Sequence, residues 1–93
     1  MPKARTAADA RRLEDIPNIG PASAGDLRAL GIQTPQALRG RDPQRMYADL
    51  CAATGTRLDP CVLDVLTSAV RFMEGAPALP WWHYSAERKQ APG

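Results

Sequence analysis

The chain has 93 residues, enough for one domain with one modest core. Its 44% apolar and 24% charged residues exclude a disordered chain, and a formal net charge of +2 falls well short of a dedicated nucleic-acid-binding segment. No apolar run is long enough for a membrane span, and none heads the chain as a signal sequence, so a cytoplasmic protein with reduced thiols at Cys51 and Cys61 is expected.

Residues 1–5 read as a flexible start, and the first helix is predicted over about residues 6–15. A tight turn, Ile16-Pro17-Asn18-Ile19-Gly20-Pro21, then leads into a second helix over about 21–30. Gly20 allows positive φ, Asn18 tolerates it at some cost, and Ile19 between them is expected to plug the core. The next three starts are more explicit. Thr34-Pro35, Asp42-Pro43 and Asp59-Pro60 each place a capping residue before a proline at the first helical position, where the missing N–H costs nothing. Helices are predicted there over about 35–39, 43–54 and 60–74. Gly31, Gly40, Gly55 and Gly75 fall where left-handed C-terminal caps belong.

The last of these helices carries Val62, Leu63, Val65, Leu66, Ala69, Val70, Phe72 and Met73, a stripe wide enough to make it the central helix. The helix before it offers Met46, Tyr47, Leu50 and Cys51 on one face. Prolines 77 and 80 then stop the helical run. Trp81, Trp82 and Tyr84 are expected to fold back as an apolar lid, with a flexible, solvated tail over 85–93. No segment alternates with period two, so the fold class is all-α, a compact bundle of about five short helices in a single domain over 6–84.

The turn at residues 16–21 is the most informative stretch. A helix start presents unpaired N–H groups and a partial positive charge, which is the chemistry of a phosphate site. The plain alternative is a helix–helix connection with no ligand. Ten of the twelve basic residues are arginine, a side chain suited to phosphate. Arg28, Arg39, Arg41, Arg45 and Arg57 outnumber Asp42 and Asp49 over residues 28–57, and solvated helix faces account for such an excess equally well.

Leu13 through Ile32 resembles a helix-hairpin-helix motif, on Ile16, Pro17, Ile19, Gly20, Ala24, Leu27 and Gly31-Ile32, with the continuation from Gly31 to Leu38 also similar. From Leu13 to Tyr84 the chain resembles the small family of pathogenicity-locus or mitomycin-resistance proteins. That likeness is carried by Asp26-Leu27, Leu30-Gly31-Ile32, Leu38-Arg39-Gly40, Asp42-Pro43, Tyr47, Leu50-Cys51, Gly55, Asp59, Cys61-Val62-Leu63 and Trp81-Trp82. The resemblance implies a DNA-binding or repair-associated module with no known reaction. Phosphate would be held by N–H groups at Gly20, Ala22 and Ser23, with Asn18 in the turn. In some members turn carbonyls hold a monovalent cation, corresponding here to Glu14, Ile16 and Ile19. The chain departs from the motif at Asn18, where a glycine is usual, and at Gly25-Asp26, where a Lys or Arg is common.

Structural zinc needs four ligands in close pairs, and two cysteines ten residues apart with one histidine, His83, do not supply them. Cys51 and Cys61 read as small buried thiols, although a helix N-terminus would lower the pKa of Cys61. The aromatic run 81–84 has a second reading as a stacking platform for bases. No nucleophile–base or paired-carboxylate arrangement is evident, so no enzyme and no cofactor are expected. The sequence therefore points to sequence-independent binding of duplex DNA through Asn18, Gly20, Ala22, Ser23, Arg28, Arg39, Arg41 and Arg45. An adaptor that docks a protein partner or a second copy is the rival, and sequestration of a small electrophilic drug at Cys61 or the tryptophans is a third class.

Overall fold

The computed structural model describes residues 3–90. Four α-helices run over Pro21–Ala29 (α1), Pro43–Thr54 (α2), Pro60–Met73 (α3) and Trp81–Gln90 (α4), with 3-10 turns at Ala7–Asp9, Leu13–Asp15 and Pro35–Leu38. Among the described residues there is no strand. The radius of gyration, 12.4 Å, is that of a well-packed domain of this length.

Proline opens α1, α2 and α3 as the spacing predicts. Asp42 accepts from Gln44 N–H at 3.0 Å and Asp59 from Cys61 N–H at 2.9 Å, so both carboxylates cap their helices. Thr34 occupies the matching place but makes no side-chain capping bond, and only a 3-10 turn follows. Gly55 closes α2 at φ 70°, a left-handed position that glycine takes without strain, while Gly55 and Thr56 N–H return to Ala52 and Cys51 carbonyls.

α3 is the central element: α2, α4 and the turn at Pro35–Leu38 all pack on it. Its Leu66, Ala69, Val70, Phe72 and Met73 join Leu13, Ile16, Ile19, Leu27, Ile32 and Leu38 in one core. On α2, Met46 and Leu50 are buried, while Tyr47 and Cys51 are half-buried.

Three expectations are corrected. The helix expected over 6–15 is two separate 3-10 turns with Arg12 extended between them (φ −120°, ψ 158°). The Asp15 carboxylate reaches back to the N–H groups of Arg11 and Arg12 at 3.0 and 2.9 Å, offering the backbone a local alternative to the helix. Of the start expected to be flexible, residues 3–5 are tethered: Ala4 N–H bonds Asp15 carbonyl at 2.8 Å and its side chain packs on the core. Met1 and Pro2 lie outside the described residues.

The third correction concerns the tail. Residues 85–90 are not solvated coil but the greater part of α4. Tyr84 is buried, Arg71 pairs with Glu87 at 3.1 Å, and the Asp64 carboxylate, 2% exposed, takes Arg88 Nε at 2.9 Å together with the Ser85 hydroxyl. These anchors hold a charge-rich helix that has almost no apolar stripe of its own. The lid is correspondingly smaller than expected, because Trp81 is half-buried and Trp82 is 61% exposed. Residues 91–93 lie outside the described residues.

Candidate functional site

The turn between Leu13–Asp15 and α1 is fixed from beneath. Ile16 and Ile19 are fully buried, and Ile19 N–H closes back on Ile16 carbonyl at 3.1 Å. Between them Asn18 takes the left-handed conformation at φ 72°, and its Nδ2 donates to Leu79 carbonyl at 2.9 Å. The side chain that allows the turn thus also ties it to the segment entering α4. Gly20, expected to supply a positive φ, is instead extended at φ −93°, ψ −174°. A Cβ built on Gly20 would meet nothing within 4 Å, so neither backbone strain nor packing requires glycine there.

Gly20 is also the N-cap of α1 and offers no side chain to it. The first intrahelical bond runs from Ala24 N–H to Gly20 carbonyl at 2.9 Å, so the N–H groups of Ala22 and Ser23 precede the ladder. Ala22 is exposed and Ser23 half-buried. The contrast with α2 and α3, whose first turns are closed by Asp42 and Asp59, leaves α1 with an open, electropositive start.

Lys3 is the residue that sequence reasoning missed. Its ammonium donates to the carbonyls of Glu14 and Ile19. Because Ile16 carbonyl takes Ile19 N–H, all three carbonyls linked to a monovalent cation are engaged within the chain. A cation of the chain itself stands against the turn, and a lysine thirteen residues ahead of Ile16 gave no local signal of it.

The arginines do not converge. Arg28 lies on α1 and pairs with Glu14 at 3.0 Å, and that guanidinium holds the Glu14 carboxyl below its ordinary range. Asp15 is held low too, by the N–H groups of Arg12 and Arg11. Arg39 stands beside Ala7, Ala8, Gln36 and Met73. Arg41 lines a cleft of about 500 Å³ between the start of α2, α3 and α4, with Nε 3.4 Å from Ala37 carbonyl. Arg45 pairs with Asp49 along α2 at 3.8 Å. Of the four expected phosphate arginines, only Arg28 reaches the segment leading into the turn, and there Glu14 matches its charge. The cleft's own charges are largely matched, Arg88 by Asp64 and Arg71 by Glu87.

Both cysteines are free and half-buried, and among the described residues no three His, Cys, Asp or Glu side chains gather as a metal site would require. The Cys61 thiol is pushed up, chiefly by its hydrogen bond to the Asp59 carboxylate and then by burial, which reverses the lowering expected at a helix N-terminus. The cap that makes α3 also quiets its thiol. Cys61 is accordingly expected to alkylate more slowly than a free thiol at neutral pH, and Asp59→Asn to speed it several-fold. Mass-spectrometric labelling of the native protein with iodoacetamide checks this, and labelling of Cys61 as fast as a free thiol overturns it.

Comparison with known proteins gives two matches. Residues 6–90 match the family described as Pathogenicity locus (Cdd1). The Mitomycin resistance protein McrB of Streptomyces lavendulae is 46% identical over 85 residues, spanning 91% of this chain and 81% of that protein. No solved structure matches.

Proposed function

The chain belongs to the pathogenicity locus family, and from that premise we propose that it is a non-catalytic module that binds the phosphate backbone of duplex DNA through the turn at residues 16–23, acting in the mitomycin resistance for which its relative is named. The observation that carries this reading is the uncapped start of α1 behind Gly20. Neither dihedral strain nor packing explains a glycine there, and open space in front of it leaves room for a ligand to approach the backbone. Lys3 contributes positive charge at the same turn, while Arg28, in the last turn of α1, is matched by Glu14. Contacts of this kind position a protein on DNA without reading bases.

Gly20→Asp provides the test. An aspartate at this cap closes the N–H groups of α1 with its own carboxylate and places negative charge where a phosphate would sit. Replacing glycine by a preferred cap residue changes stability by only a few tenths of a kcal/mol, so the fold is retained. With labelled duplex, wild-type affinity is expected to fall roughly 10- to 40-fold between 50 and 200 mM salt, as for two or three phosphate contacts. Gly20→Asp should bind at least tenfold more weakly at low salt. Salt-insensitive or absent wild-type binding at ~50 μM protein sinks the proposal.

An adaptor role is favoured by one specific observation, the dispersal of Arg39, Arg41 and Arg45 away from the turn. On that reading Gly20→Asp has no DNA affinity to remove.

A further inference from the structure

Trp82 is the one large apolar side chain left exposed among the described residues, at 61%. It is not on a loose segment. Within α4, Tyr84 is buried, Ser85 and Arg88 are bonded to the buried Asp64, and Glu87 is paired with Arg71. These contacts fix the helix and with it the first turn that carries Trp82. Trp81 braces the exposed indole edge-to-face, with ring centroids 5.7 Å apart and planes at 82°.

The same segment is tied to the turn described above. Leu79, three residues before Trp82, gives its carbonyl to Asn18 Nδ2 at 2.9 Å. Three residues span at most ~11 Å between Cα atoms, so Trp82 is held in the neighbourhood of the turn by a short, fixed tether.

A solvated tryptophan on a rigid helix, tied to the turn, is available to a ligand, and the size of the apolar area decides which kind. A stable protein interface buries ~800 Å² per partner around a cluster of apolar anchors. No second large hydrophobic side chain is exposed beside Trp82, and the next residue outward, His83, is polar and exposed. One indole matches one nucleobase. In an intact duplex each base face is covered by its neighbours, so only a terminal, unpaired or unstacked base presents a face to meet it.

We propose that Trp82 stacks on a base exposed at a duplex end or single-strand junction while the turn at Gly20 holds an adjacent phosphate, which makes interrupted DNA the preferred ligand. This rests on the DNA-binding reading and narrows it from any duplex to one that offers an open base face.

The experiment uses two labelled DNAs of equal duplex length: a dumbbell closed by hairpin loops at both ends with the loop bases crosslinked into the stack, and the same duplex carrying a short single-stranded tail. The full chain, Trp82→Ala, Trp82→Phe and Gly20→Asp are titrated against both at low salt. The wild type is expected to prefer the tailed DNA by roughly 5- to 150-fold, the range for stacking one base on an aromatic side chain. Trp82→Ala should bind both DNAs equally and at the wild-type dumbbell affinity, and Trp82→Phe should recover most of the preference. Tryptophan fluorescence should be quenched by the tailed DNA in the wild type and much less in Trp82→Ala. Because Trp82 is exposed, its removal leaves the fold intact, which circular dichroism checks. If Trp82→Ala keeps the preference, or the wild type shows none while still binding the dumbbell, the stacking inference falls and the backbone reading stands. If no DNA is bound and Trp82 is instead protected by a second copy or a protein partner, both fall.

Discussion

An Ile19→Ala variant is expected to lose about 3 kcal/mol of stability and to melt roughly 15 °C lower. Ile19 is fully buried at the foot of the turn, between Asn18 in its left-handed conformation and Gly20 at the start of α1. Truncation removes three carbons from a core that Ile19 shares with other fully buried side chains, Leu13, Ile16 and Leu27 among them. The turn is also held by Ile19 N–H on Ile16 carbonyl and by Lys3 on Ile19 carbonyl, so its backbone resists collapsing into the void. A loss of this size is a large share of the stability of a domain this small, of order 5–15 kcal/mol in total. Thermal and urea denaturation of the two proteins gives the difference directly, and a change below about 1 kcal/mol would show that the core relaxes around the gap. Gly20→Asp, one residue away, is the internal contrast, because a Cβ there meets nothing within 4 Å and its carboxylate caps α1.

Arg88→Ala is expected to destabilise the protein more than Asp64→Ala, although both break the same ion pair. The asymmetry lies in burial: the Asp64 side chain is 2% exposed and that of Arg88 36%. Removing the arginine strands a carboxylate in the core with only the Ser85 hydroxyl for support, whereas removing the aspartate leaves a guanidinium that already reaches water. Stranding a buried charge costs about 3 kcal/mol or more, which for this chain length again lowers the melting temperature by roughly 15 °C. α4 should detach first, exposing Tyr84 and shifting its fluorescence. Replacing both residues by leucine should recover most of the loss, since a buried pair exchanged for apolar groups is often neutral or stabilising. Equal effects of the two single variants would overturn the burial argument.

Much of the helical framework was legible in the chain because the signals are local. Proline after Asp42 and Asp59 fixes φ and supplies a cap within three residues, and Gly31, Gly40, Gly55 and Gly75 all adopt the positive φ read for them. The breadth of the stripe from Val62 to Met73 marked α3 as central before any partner was known. The segment before α1 was less legible: Ala10, Leu13, Ile16 and Ile19 are all buried, but Ala10 and Ile16 are extended and only Leu13 lies in a 3-10 turn, so their shared burial follows from the tertiary packing and not from one helical period.

By itself, then, the sequence determined an all-α domain, its family and the three proline-started helices, since capping, φ restriction and apolar periodicity act over a few residues. Only the tertiary structure decided the rest of the candidate site. It engaged the expected cation carbonyls within the chain, two of them with Lys3, gave the left-handed position to Asn18 instead of Gly20, and dispersed Arg39, Arg41 and Arg45. It also turned the charged C-terminal run into α4 and left Trp82 uncovered. Each of these outcomes depends on groups far apart in the chain, Lys3 with Ile19, Asn18 with Leu79, Asp64 with Arg88, whose pairing energy no local pattern encodes.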